Sequence, residues 1–167
     1  MIRAVVILLA TILVTLIILV PLGQRSALDL TFNCRNELYD VQGQGESEHY
    51  LIADVVLQDD RASMNLRYFD LKGEPHSTIN LTGQVSRASF FDEVYELAIN
   101  KVDTRLFKGS EARVNHMQYM SGFTKSNLSN LGSHNLTIRV LDRELAQGYW
   151  LFFIQPSNSV VACSVIE

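Results

Sequence analysis

Hydrophobic positions along this chain follow two regimes. Between Arg3 and Arg25, residues 4–22 carry no charge and are almost all apolar. Beyond them, apolar and polar residues mostly alternate, the period of a strand with one face buried and the other wetted. Leu28, Leu30 and Phe32 alternate with Asp29, Thr31 and Asn33 and lead into Cys34. A polar turn region at 42–46 precedes a mostly apolar strand at 49–57, which carries Tyr50, Leu51, Ile52, Val55 and Val56. Asp59-Asp60-Arg61 then reads as a tight connection to the run of Met64, Leu66, Tyr68 and Phe69, which Lys72-Gly73-Glu74-Pro75 breaks. These two runs predict a hairpin.

The alternation continues over residues 78–85, with Ile79, Leu81, Gly83 and Val85 on one face. Residues 91–102 alternate less cleanly and allow a helical turn near Asp92. Residues 112–122 read as a strand with two mixed faces, which puts it beside a cavity or at an edge. Residues 124–135 are rich in Ser, Asn and Gly, with only Leu128 and Leu131 as apolar anchors, and read as a loop. Leu136, Ile138 and Val140 resume the alternation, and a short helical turn is expected around 142–147. Residues 148–155 form the most hydrophobic strand: Trp150, Phe152 and Ile154 face one way, Tyr149, Leu151 and Phe153 the other. A last strand covers 159–166. No long amphipathic helix is evident.

Eight or nine strands in sequential order predict an all-β domain, an up-and-down, lipocalin-like barrel, with a β-sandwich as the alternative. The only two cysteines, Cys34 and Cys163, fall in the first and last strands. In an oxidising compartment they pair. Closing a loop of about 130 residues contributes roughly 4–5 kcal/mol in the chain-entropy model, and it makes the first and last strands neighbours.

The nineteen residues 4–22 span roughly 28 Å as a helix, close to the hydrocarbon thickness of a bilayer. The run is longer than the core of a signal peptide, and a cut after Ala27 would put Arg25 where a small residue is required. The expected organisation is a transmembrane anchor at 1–25 with a short cytoplasmic tail, and a β-rich domain at 26–167 outside the cytoplasm. Pro21 and Gly23 end the helix.

Acidic and basic residues, 18 against 14, are interspersed, which argues against a nucleic-acid partner. His49, His76, His116 and His134 are scattered without metal-ligand spacing. No nucleophile elbow, phosphate-binding loop or Cys-His arrangement occurs, so neither an enzyme, a cofactor nor a metal is expected. His116, in the strand reading of 112–122, is taken as structural. The aromatic cluster Tyr149, Trp150, Phe152 and Phe153 is packed core, or else a surface for an apolar ligand or a protein partner.

An N-terminal anchor, a cysteine soon after it in Leu30-Thr31-Phe32-Asn33-Cys34, an aromatic late strand and a final Val160-Val161-Ala162-Cys163 together resemble the FidL-like membrane proteins of enteric bacteria. The resemblance implies a bacterial inner-membrane protein with a periplasmic domain that assists a membrane-spanning transcription regulator of the ToxR type. In some such pairs the joint barrel binds bile salts. Two functions follow as expectations: an interaction module that stabilises or modulates such a regulator, and a barrel that binds an amphipathic small molecule by itself.

Overall fold

The computed structural model describes residues 28–39, 47–89, 93–107, 114–144 and 147–166. The expected anchor at 4–22, the polar turn at 42–46 and the turn near Asp92 lie outside them. Among the described residues no helix is long and apolar enough to cross a membrane.

Eight strands follow one another in chain order: β1 (Asp29–Tyr39), β2 (Ser47–Gln58), β3 (Arg61–Asp70), β4 (Pro75–Ser89), β5 (Val94–Leu106), β6 (His134–Glu144), β7 (Tyr149–Gln155) and β8 (Ser159–Ile166). Each pairs antiparallel with the next, and β8 pairs with β1, so the sheet closes into a barrel. The barrel expectation holds and the sandwich does not. Sequential antiparallel pairing follows from short connections, such as the two-residue turn at Asp59 and Asp60, where Asp59 takes φ 53° as a twisted hairpin requires.

Inward positions carry the alternating apolar residues. Leu30, Phe32 and Cys34 of β1, Met64, Leu66 and Tyr68 of β3, Ile79 and Leu81 of β4, and Leu136, Ile138 and Val140 of β6 are all buried. Phe32 and Phe152 stack across the interior with ring centroids 4.4 Å apart. On the outer face, Asp54 accepts from Asn33 and pairs with Arg67 at 2.7 Å, tying β1, β2 and β3 together in water. Gly83 sits at a bulge between β4 and β5, where a Cβ would run into the Ala98 carbonyl. Only glycine lets the two backbones come this close.

Two readings of the sequence are corrected. Of the strand expected at 112–122 and the loop expected at 124–135, residues 115–131 are one helix, α1 (Asn115–Leu131), and His134 and Asn135 already belong to β6, so the domain is not purely β and a long helix is present. Its buried positions, Val114, Met117, Ser121 and Thr124, recur every three or four residues, the helical period. Two of them are hydroxyl residues, so the apolar stripe is faint. The helix stops at Gly132, whose φ of 75° and N–H bond to the Leu128 carbonyl form a left-handed cap. The helical turn expected around 142–147 is also absent at its start: Asp142 to Glu144 belong to β6.

The strands are uneven at one end. β5 pairs with β6 only from Val94 to Ile99, and β1 pairs with β8 only from Thr31 to Cys34. α1 lies at this end and packs against β5 and β6.

Cys34 and Cys163 are directly opposite in the β1–β8 ladder and form a buried disulfide, with Cα atoms 4.1 Å apart. Replacing both cysteines by alanine should lower stability by about 2–5 kcal/mol, read as a reduced urea midpoint. An unchanged midpoint would mean that the seam holds without the bridge. Gly83→Ala should cost about 1–3 kcal/mol, seen as a lower melting temperature, because the atom it meets is backbone and cannot swing aside.

Candidate ligand cavity

Inside the barrel, under α1, is a cavity of about 460 Å³. Its walls are β1 (Cys34, Asn36, Leu38), β2 (Leu51, Ala53, Val55), β3 (Met64, Leu66) and β8 (Ser159, Val161). Ile154, Pro156 and Ser157 close one side, and His116, Tyr119 and Met120 of α1 form the roof. The space exists because β6 to β8 are short at this end and a helix spans the gap they leave. Side chains from β1 to β3 meet α1 across it instead of meeting facing strands. The volume lies within the range of small-molecule sites, and among the described residues none that lines it carries a formal charge.

Pro156, Ser157 and Tyr119 are the exposed members of the lining and mark the mouth. Leu28 is at the opposite end of the barrel, where its carbonyl accepts from the Asp59 N–H. The far end is filled: Phe152 stacks on Phe32, and Arg143 lies 4.2 Å over the Trp150 ring while pairing with Glu93 at 2.7 Å.

Two histidines hold α1 in place. His116 Nδ1 is 3.0 Å from the Tyr68 hydroxyl. Tyr68 is fully buried and has no other partner among the described residues, so its phenol donates here; otherwise its proton would be buried without an acceptor. Burial keeps that phenol protonated by pushing its pKa far up. At the other end of the helix, Asn127 Nδ2 donates to His134 Nδ1 at 2.7 Å, and Phe123 meets the same ring edge-on at 5.3 Å. His134 Nε2 and Thr124 Oγ1 are buried with no partner among the described residues. Burial lowers the pKa of both histidines, and no charged neighbour contributes.

Of the residues singled out from sequence, Cys34 and Cys163 are brought together. The four aromatics of β7 are not. Phe152 is in the core and Trp150 sits half-buried at the filled end, while Tyr149 and Phe153 are on the outer face. None of the four lines the cavity; from β7, Ile154 does. From the range expected to be a strand beside a cavity or an edge, His116, Tyr119 and Met120 border the cavity as part of a helix. His116 is therefore a roof residue on a helix and not a strand residue. Among the described residues no cluster of His, Cys, Asp and Glu is placed to hold a metal ion.

Among the described residues, the fold and site define a closed antiparallel barrel with a helix over a largely apolar cavity whose lining carries no formal charge. No protein-family model matches this chain, and no curated protein matches it.

Both imidazoles stay neutral in the fold under conditions that protonate them in the unfolded chain. Below their ordinary value of 6.5 the unfolded state thus binds more protons. Stability is full above that pH and is lost as the pH falls toward the depressed native values. Urea unfolding between about pH 8 and pH 5 should show this decline, approaching at most about 1.4 kcal/mol per pH unit for each histidine. His116→Phe should flatten the slope, and a wild-type stability that is level across the range would contradict the assignment.

Proposed function

We propose that this protein is a membrane-anchored binding module whose barrel takes up an amphipathic small molecule. The observation that carries the reading is the cavity of about 460 Å³ beneath α1, apolar on most of its wall and open past Pro156 and Ser157. The uncharged lining suits the apolar body of such a molecule, while a charged end stays in water at the mouth. An anchor at residues 4–22 reaches the barrel at Leu28, the end away from that mouth. The ligand then enters from the periplasm.

The FidL-like resemblance supports an accessory role in the bacterial inner membrane, beside a membrane-spanning regulator of the ToxR type. The two segments that carry it, residues 30–34 and 160–163, lie in the strands joined by the disulfide. A separate observation favours a docking function: beyond Ile99, β5 has no strand on its β6 side among the described residues, and Leu106 is exposed next to it. Such an edge accepts a strand from a partner. A photo-reactive residue at Thr104 that cross-links a single-span regulator in intact cells supports docking; cross-links only to unrelated abundant proteins count against it.

The binding reading is tested with deoxycholate, an amphipathic steroid, kept below its micelle concentration. A ligand at 100 times its dissociation constant stabilises the fold by about 2.7 kcal/mol, a rise of several degrees in melting temperature. Ala53→Phe, which fills the cavity from β2, should abolish the rise. No rise in the wild type would remove this class of ligand, and an equal rise in Ala53→Phe would place binding outside the cavity.

A further inference from the structure

Resting on the cavity as the binding site, the geometry points to a more specific ligand: we infer that it carries an uncharged hydroxyl on its buried part, and that His116 donates a hydrogen bond to it. With the Tyr68 hydroxyl donating to Nδ1, the ring proton of the neutral imidazole is on Nε2. That N–H has no partner among the described residues. It is not sealed either, for the buried polar atoms without partners are Asn65 Oδ1, Arg67 Nε, Thr124 Oγ1 and His134 Nε2. His116 lines the cavity, so it brings an oriented and unspent donor to a wall that is otherwise largely apolar.

The described wall favours an uncharged group over the charged alternatives. Among the described residues no Lys or Arg lines the cavity to neutralise a carboxylate or phosphate, and no Asp or Glu lines it to receive an ammonium. Asn36, on β1, adds a side-chain carboxamide that both donates and accepts. A hydroxyl matches this pair: it accepts from His116 and has a proton left for the Asn36 oxygen. Tyr68, bonded to the ring, acts as a positioning residue that fixes the tautomer.

The test uses the full chain in lipid nanodiscs, with empty nanodiscs as reference, and two probes that share a carboxylate and a chain length: laurate and ω-hydroxylaurate. Equilibrium dialysis should show the hydroxylated probe bound about tenfold more tightly, the fold-change of one neutral hydrogen bond. His116→Phe should bind both probes equally, and His116→Gln, which retains a donor, should keep part of the preference. Equal binding of the two probes by the wild type overturns this inference while leaving the cavity reading intact, as does a preference that survives in His116→Phe. Binding of neither probe counts against the cavity as a site for such chains, and the inference falls with it. The wild-type comparison stands even if a variant fails to fold.

Discussion

The seam between the first and last strands is the constraint on which this structure depends. β1 and β2 share a ladder along their whole length, but β1 and β8 meet over only four residue pairs, Thr31↔Ile166 to Cys34↔Cys163. So short a ladder gives little closure of its own. The disulfide lies at its inner limit, where the paired strands separate, and it joins chain segments 129 residues apart. Over the length of the seam, closure of the sheet removes the edges that an open meander would present, leaving β5 beyond Ile99 and β1 beyond Cys34 without strand partners on one side among the described residues. It also brings β7 within one strand of β1, so that Phe152 reaches Phe32 and the interior is filled at that end.

Where the seam stops, the cavity begins. Past Cys34, strand β1 continues to Tyr39 without β8 beside it, and Asn36 and Leu38 turn toward the space under α1. Cys34 itself lines that space. The bond that closes the barrel therefore also bounds the site. α1 completes the enclosure from the other side, held at its start by His116 on Tyr68 and near its end by Asn127 and Phe123 on His134. Both attachments require neutral rings, so the roof and the cavity beneath it are best formed at neutral pH and above.

Much of the barrel was legible because a half-buried strand writes its two faces in alternation. Leu30 and Phe32, Met64 and Leu66, Ile79 and Leu81, and Leu136 and Ile138 are apolar where they point inward and have polar neighbours where they do not. The cysteine pairing was legible for a different reason: only two were present, in the first and last strands. The helix was hidden. Ser121 and Thr124 occupy two of its buried positions, no side chain caps its start, and its first turn has no acidic residue to mark it. The period of Val114, Met117, Ser121, Thr124 and Leu128, followed by Gly132, was the available signal, and hydropathy alone conceals it. With the helix went the site. His116, Tyr119 and Met120 converge with Asn36 only when residues 115–131 are helical, whereas a strand reading sends them to alternate faces. The aromatic run of β7 drew attention by composition, yet the pleat divides it between the core and the outer surface.

Methyl NMR of the full chain titrated with deoxycholate decides whether the space between α1 and strands β1 to β3 receives an amphipathic ligand. Shift changes should concentrate on Leu51, Val55, Met64, Met120 and Val161, which line the cavity, and leave Leu30 and Leu57, paired at the filled end, in place. Changes confined to exposed methyls such as Leu71 and Val160, or no saturable change at all, would contradict binding in the cavity.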